Sequence, residues 1–541
     1  MSVSEGQERL VEVPVAGGVG RVERAPVGVE KTFRAYDPEQ VLLMAPVLAE
    51  WVPEGDLAHF VSDLVESRAL DLSAIYASYE DECGFPPYDP RLMVKLLVYG
   101  YANGVMSSRK LEAATHRDVA VRMLCAGQHP DYRSIARFRK RHLGALSELF
   151  VQSLGLCRKA RLVGLGSLAL DGTKLRANAS RHKAMSYARM ARKEAQLEAE
   201  IGVLRRNVDR LLREADRVDA EEDRRFGSDR RGDELPVELQ LREQRLATIR
   251  EAKQALEAEA FERETRRRAG LEAQGKKPRP PRNGRDPFKP KPTAQRNFTD
   301  PESRIMKTSD GSFHQCFNGQ AVVDSETQVI VAAELSDQAP DAEQLEPVLD
   351  QLDENLDAVG ADIPDGAVLT ADGGYFSENN VRITSSHGLD PYIATGRFKH
   401  SEPPAPAPRG PVAKNATPKQ RMARKLRTKN GRALYSRRKA IVEPVFGQID
   451  TVQDGRRLLL RGKQAARDQW RFQCAIHNLL KLHRAGGLDL IRAPNSAAAS
   501  PPASNRRASA MIAYAIAARF RRSLADRFAW TVPIPVTDTR S

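Results

Sequence analysis

The sequence has few cysteines, and none of them are spaced as a metal or redox site would require. Five cysteines are spread over 541 residues, and the closest two, Cys125 and Cys157, are 32 positions apart. This spacing excludes CxxC zinc and thiol-disulfide sites, and the low count argues for a reducing compartment. Long apolar runs are also missing. The best, residues 511–518, has eight residues, whereas a membrane helix needs roughly 18.

Aromatic residues are scarce and basic residues are in excess. Aromatics make up 6% of the chain, 29% of residues are charged and the formal net charge is +14. The first thirty residues carry Glu5, Glu8 and Glu12 and no continuous apolar segment, so a secretory signal is not expected. The length fits roughly three domains of about 150 residues. We expect a cytoplasmic, multidomain, basic protein with a polyanionic partner.

A helical pattern follows a loose N-terminal arm (residues 1–32) and extends over residues 33–156. Asp-Pro pairs at 37–38 and 89–90 are typical of helix starts. The final helix opens at Asp131, and its basic side chains include Arg133, Arg137, Arg139 and Lys140. Short helices ending in a basic one favour a helix-turn-helix-like DNA-binding domain. On these residues alone, a plain helical bundle with a charged solvent face is about equally favoured.

Two apolar seams predict a helical hairpin over residues 186–265. The first seam is Leu197, Ile201, Leu204, Val208, Leu211, Ala215 and Val218. The second, weaker seam is Leu239, Leu246, Ile249, Leu256 and Ala260. A charged, glycine-containing stretch at 221–233 separates them, which favours antiparallel arms, with intermolecular pairing as the alternative. Residues 266–292 read as a Pro-rich basic linker.

Residues 157–185 and 293–485 combine strand and helix patterns, which predicts an α/β domain. Short β-branched or apolar runs predict strands at 320–323, 329–335, 367–371 and 391–395. Helical patterns cover 341–356 and about 441–483. The tail, residues 486–541, is biased toward Ala, Pro and Arg, and we assign it no function.

Two aspartates follow apolar runs in this domain. Asp171 comes after Leu-Ala-Leu and before Gly172, and Asp372 comes after the run 368–371 and before two glycines. A carboxylate at the end of a buried strand has a rigid mount, and glycine lets the backbone turn without crowding a ligand. For either residue alone, however, a simple Asp-Gly turn is the favoured interpretation.

Glu443 is a lone acid in a basic stretch that includes Arg437, Arg438 and Lys439. Because Pro444 disfavours helical geometry at the preceding residue, we expect Glu443 at a helix start with Pro444 in the first position. The alternative is a glutamate that only stabilises the helix dipole or forms a salt bridge. Three carboxylates beside a basic surface suit two Mg²⁺ ions about 4 Å apart, which catalyse phosphodiester displacement. Mn²⁺ would suit the same oxygens.

The sequence resembles bacterial insertion-sequence transposases of the DDE class over most of residues 33–485. The matching segments are FRAYDPEQ (33–40), PDYRSIARFR (130–139), LALDGTKLRANAS (168–180), DPESRIMK (300–307), FNGQAVVD (317–324), LTADGGYFS (369–377) and YSRRKAIVEPVFGQID (435–450). The resemblance implies an RNase H-like mixed-sheet domain in which Asp171, Asp372 and Glu443 are catalytic metal ligands. It makes 186–265 an insertion after the first strand.

The same resemblance implies metal-dependent cleavage and strand transfer at terminal inverted repeats, by a homodimer on double-stranded DNA in the bacterial nucleoid. Arg437, Arg438 and Lys439 would then contact the DNA backbone. Two departures from the family stand out. Asp450 occupies a position where many relatives carry a basic residue, with Arg456 and Arg457 as the nearest substitutes, and the tyrosine-arginine-glutamate spacing is one residue longer than usual.

Three other functions compete with transposition. A nuclease on the same fold would cut without joining, and a non-catalytic or inactivated transposase-derived protein would bind DNA without cutting. A scaffold built around the hairpin is the weakest alternative, because it leaves the basic linkers unexplained.

Overall fold

The computed structural model describes residues 47–79, 86–180, 183–226, 237–273, 275–278, 285–396 and 415–492, together with residues 407, 410, 412 and 413. The predicted arm (1–32), the 33–40 motif and all of the tail beyond residue 492 lie outside the described residues.

The first described region is helical. Its helices are α1 (Leu57–Glu66), α2 (Ser73–Tyr76), α3 (Pro90–Ala102), α4 (Ser108–Arg117), α5 (Val119–Leu124), α6 (Tyr132–Arg141) and α7 (Leu143–Lys159). Two of the sequence-predicted starts are present. Asp89 caps α3 by accepting from the Arg91 N–H, with Pro90 in the first turn, and Asp131 caps α6 by accepting from the N–H groups of Arg133 and Ser134.

A mixed sheet forms the centre of the second region. The strands are β1 (Ser167–Arg176), β2 (Ala184–Ser186), β3 (Gln295–Asn297), β4 (Arg304–Lys307), β5 (Phe313–Asp324), β6 (Ile330–Ser336), β7 (Val368–Ala371) and β8 (Asp390–Ile393). β5 pairs antiparallel with β1, β4 and β6, whereas β7 lies parallel between β1 and β8. β2 and β3 pair separately. This antiparallel-then-parallel order confirms the predicted RNase H-like mixed sheet.

The remaining helices flank this sheet or extend from it. They are α8 (Tyr187–Phe226), α9 (Val237–Ala273), α10 (Leu345–Val359), α11 (Glu378–Ser386), α12 (Pro418–Arg427), α13 (Lys429–Thr451), α14 (Lys463–Ala485) and α15 (Asp489–Arg492). In the part of the chain that is described, every helix is too short or too polar to cross a membrane.

The long insertion is an antiparallel helical hairpin. α8 and α9 bury the predicted seam residues Leu197, Ile201, Leu246, Ile249 and Leu256 against each other. Ion pairs cross the hairpin in antiparallel order, from Arg205–Glu243 to Lys253–Glu194. α9 continues to Ala273, so helix extends beyond residue 265 into the segment predicted as linker. The hairpin meets the sheet where Glu259 accepts from Arg296 and Arg304.

α14 joins the helical region to the sheet in one continuous core. Its fully buried Trp470 donates to the Gln320 carbonyl of β5 (3.1 Å), and Phe472 packs edge-on against Tyr101 of α3, with 5.1 Å between ring centroids. α7 also packs along α14 and runs through the domain boundary predicted at residues 156–157. This boundary therefore falls inside a helix, and the helical region shares a core with the sheet.

Candidate active site

The two aspartates lie side by side at the centre of the sheet. β1 and β7 run parallel with Leu170 opposite Ala371, so the next residue of each strand is Asp171 or Asp372. Neighbouring strands are about 4.8 Å apart, and both carboxylates therefore occupy the same edge of the parallel pair. This adjacency of residues 201 positions apart favours a shared site over two unrelated Asp-Gly turns.

The sequence suggested that Asp171 ends its strand, but Asp171 lies inside β1. The strand continues to Arg176 because β5 pairs with it along that whole length. Gly172 is needed for close approach, since a Cβ there would lie 2.6 Å from the Gln320 amide nitrogen. The Asp171 Oδ1 atom accepts from the Gly172 N–H, and Oδ2 accepts from Nη1 of Arg438 at 2.6 Å. Burial raises the pKa of Asp171, although the Arg438 charge acts in the opposite direction.

Asp372 follows the last residue of β7 and begins a tight turn. Its Oδ1 accepts from the Gly374 N–H at 2.7 Å, and a Cβ on Gly374 would lie 2.9 Å from that oxygen. The turn is anchored by Tyr375, which is fully buried and donates its hydroxyl to the Gln320 side chain. The glycines after Asp372 therefore permit the close turn that the sequence indicated.

Glu443 is not brought to the two aspartates. Its side chain is 64% exposed on α13, and its nearest ion partner is Lys439, at 4.0 Å. The predicted helix start at Glu443 was wrong, because α13 begins at Lys429 and Pro444 lies in its interior. The helix tolerates this proline because the Gln328 amide, from the turn between β5 and β6, donates to the carbonyls of Ala440 and Ile441.

Two segments of the chain match known protein families. Residues 46–141 match the family described as Transposase domain (DUF772), and residues 288–479 match the family described as Transposase DDE domain. The chain belongs to the insertion-sequence DDE transposase family. It is a DNA transposase, an enzyme that cleaves DNA and transfers strands. Among curated proteins and solved structures, none matches the chain.

The transposase presents part of its predicted DNA-binding set to solvent and buries the rest. Arg133, Arg137 and Lys140 are exposed on one face of α6, and Arg437 and Lys439 are exposed on α13. Arg139 is only 7% exposed and donates to the Met106 carbonyl (2.7 Å) and Ser108 Oγ (3.0 Å). Arg139 therefore joins α6 to the start of α4. Its assignment to phosphate binding is corrected on that ground.

The assignment of Arg438 to DNA binding is corrected as well, because this side chain is also buried. Its side chain is 9% exposed and is held on Asp171, so in this arrangement it meets a carboxylate rather than a DNA phosphate. Tyr435, one turn earlier, packs near the guanidinium, with 5.9 Å from Cζ to the ring centroid. Asp450, the departure from the family pattern, accepts from Arg456 at 3.1 Å. Arg456 thus brings a basic group to this position from outside α13.

Two of the three predicted metal ligands of the transposase lie together, in a position that suits a divalent cation. Asp171 and Asp372 offer adjacent carboxylates, and the Asp171 Oδ2 atom already accepts from a cationic group. Across the described residues, however, no group of three His, Cys, Asp or Glu side chains lies close enough to hold a metal ion. The family as a whole uses divalent metal ions.

Arg438→Met is expected to lower the free energy of unfolding in EDTA by about 2 kcal/mol at pH 7, because Asp171 would keep its charge in a buried position without a partner. Adding Asp171→Asn should restore most of that loss. Urea unfolding of the two single variants and the double variant measures the coupling. Arg437→Met, at the exposed neighbouring position, is the control and should change stability by less than about 0.5 kcal/mol. Equal losses for Arg437→Met and Arg438→Met would contradict the ion pair.

Proposed function

We propose that this transposase cuts and joins DNA at the terminal inverted repeats of an insertion sequence, with Asp171, Asp372 and Glu443 as its metal ligands. The observation that carries the proposal is the side-by-side placement of Asp171 and Asp372 at the parallel strand pair of a DDE-family domain. When bound, two Mg²⁺ ions, or Mn²⁺, would activate the attacking water or 3′-hydroxyl and stabilise the leaving oxygen.

The chain's own residues would prepare this chemistry in three ways. Gly374 fixes the orientation of the Asp372 carboxylate through its N–H, and Arg438 donates to Asp171 and opposes the rise in pKa that burial causes there. Glu443 has to leave the exposed face of α13 to join them, which would break its 4.0 Å contact with Lys439.

Exposed basic groups from two regions would bind the DNA backbone. On α6 these are Arg133, Arg137 and Lys140, and on α13 they are Arg437 and Lys439. Contacts of this kind neutralise phosphates and release counterions, so binding should depend steeply on salt. We further propose that the protein acts as a homodimer that holds two element ends, in the bacterial cytoplasm in association with the nucleoid.

The test is cleavage of labelled duplex DNA carrying the end of the flanking element, with Mg²⁺ or with EDTA. We expect Mg²⁺-dependent cutting at the element end, and joining of a pre-cleaved end to target DNA. Cutting without any joined product would favour a nuclease on the same fold. Binding without cutting in either metal, Mg²⁺ or Mn²⁺, would favour a non-catalytic protein.

A further inference from the structure

The interior proline of α13 leaves one backbone carbonyl without its usual donor. In an α-helix the N–H of residue 444 would bond to the carbonyl of residue 440, but Pro444 has no N–H, and its ring crowds that carbonyl. Ala440 and Ile441 lie between the two functional residues of the helix, Arg438 and Glu443. The turn that sets their relative position therefore lacks one hydrogen bond of a regular helix.

Gln328 supplies the missing donor from the sheet. Its Nε2 atom donates to the Ala440 carbonyl at 3.1 Å and to the Ile441 carbonyl at 3.3 Å. These contacts span more than 110 positions of sequence and connect the turn between β5 and β6 to α13. A single side-chain amide thus takes the place of a helix hydrogen bond.

The Gln328 side chain is aimed by its own surroundings. Its backbone has φ +64°, a left-handed conformation, with its N–H bonded to the Asp324 carbonyl at 3.0 Å. Its Oε1 accepts from Lys481 Nζ at 2.8 Å, which fixes the amide orientation so that Nε2 faces α13. The backbone carbonyl of Gln328 accepts from Nε2 of the buried His477 ring at 2.9 Å. Because a carbonyl only accepts, the hydrogen of the neutral imidazole is on Nε2.

The turn around Gln328 is rigid as well. Both carboxylate oxygens of the buried Asp324 accept backbone N–H groups, Oδ2 from Gly164 and Leu165 and Oδ1 from Glu326 and Thr327. These bonds tie the turn to the segment that leads into β1. Gln328 is therefore held by a turn that is hydrogen-bonded to the segment before β1, the strand that carries Asp171.

We propose that Gln328 is a positioning residue: its amide replaces the N–H that Pro444 lacks and holds the turn of α13 between Arg438 and Glu443 against the sheet. The catalytic consequence rests on the proposed function, whereas the structural consequence does not. Loss of the amide should loosen this turn in the free protein. Because the observed position of the turn keeps Glu443 away from the two aspartates, loosening it should also make it easier for Glu443 to join them.

The test is a cycle of Gln328→Gly, Pro444→Ala and the double variant. Glycine accepts the left-handed backbone and removes the amide, and the Pro444→Ala change restores the helix N–H. In the metal-free protein, Gln328→Gly should speed amide hydrogen exchange in residues 441–447 by about fivefold to tenfold. It should also lower the Mg²⁺ concentration for half-maximal cleavage by up to about tenfold, because the conformation in which Glu443 reaches the aspartates becomes easier to populate. The double variant should return both values to within about twofold of the wild type, because the helix again satisfies its own carbonyl.

Arg68→Gly is the matched control, since Arg68 is exposed in the helical region with φ +58°. It should leave both measurements unchanged. Unchanged exchange in Gln328→Gly, or no recovery in the double variant, would overturn the proposal. A lower thermal midpoint with an unchanged Mg²⁺ midpoint would reduce Gln328 to a purely structural role. If the wild type does not cleave DNA, the proposed function fails, and the exchange cycle still decides whether Gln328 holds α13.

Discussion

Asp372→Asn is expected to abolish Mg²⁺-dependent cleavage, with a loss of about a thousandfold or more, while DNA binding stays within about twofold of the wild type. The variant keeps the size of the side chain, and its amide oxygen can still accept from the Gly374 N–H, so the turn after β7 is preserved. What disappears is the ligand charge, and a loss of about 4 kcal/mol of transition-state stabilisation corresponds to about a thousandfold in rate.

The matched control for this prediction lies at the other end of the same strand. Asp365→Asn makes the same chemical change at an exposed position just before β7 and should leave cleavage unchanged. Cleavage of labelled element-end DNA is measured for both variants with Mg²⁺ and with EDTA, and a gel-shift assay measures DNA binding. Equal cutting by the wild type and Asp372→Asn would remove Asp372 from the site. A wild type that binds without cutting would indicate an inactive protein.

The sequence located the aspartates because their signal is local. An apolar run that ends in Asp-Gly predicts a buried strand, and two such strands, each with its aspartate, are adjacent in the sheet. The hairpin seams were predictable for the same reason, since heptad spacing alone places Leu197, Ile201 and Leu256 in one cluster. Local patterns could not show that β1 continues past Asp171, because that depends on its pairing with β5.

Glu443 shows where local reasoning fails. Pro444 led to the expectation of a helix start, yet the helix continues through it because Gln328 supplies a donor from a turn more than 110 residues earlier. A single sequence carries no sign of that contact. The placement of Glu443 on the exposed face is likewise set by how α13 packs, with Val442 and Val445 turned toward the core.

The two buried arginines, by contrast, left a signal that could have been used. Arg139 lies four positions after Ile135 and next to Phe138, and these three are the buried residues of α6. Arg438 shares a helical face with Ile441 and Val442 in the same way. Residues at i, i+3 and i+4 lie on one side of a helix, so a basic side chain on an apolar face is expected to be buried. Counting charges alone treats these arginines as part of the DNA-binding surface.

The distinction between buried and exposed basic side chains of α6 leads to a second prediction with a large expected effect. Combined replacement of Arg133, Arg137 and Lys140 by Ala should weaken duplex DNA binding about a hundredfold at about 0.15 M salt. The three side chains lie at i, i+4 and i+7 on the exposed face of α6. Each neutralised phosphate contributes about 0.9 to the slope of log affinity against log salt, so three contacts contribute about 2.7. The measurement is the salt dependence of binding for the wild type and the triple variant.

Arg139→Met separates this surface from its buried neighbour. Its guanidinium bonds to Met106 and Ser108 rather than to solvent, so the salt slope should stay unchanged while the thermal midpoint falls, because a buried carbonyl and hydroxyl lose their donors. A plain helical bundle with a charged solvent face makes the opposite prediction for the triple variant, which would then bind DNA with an unchanged slope. The paired slopes therefore decide whether the α6 face binds DNA phosphates, independently of whether the enzyme cuts.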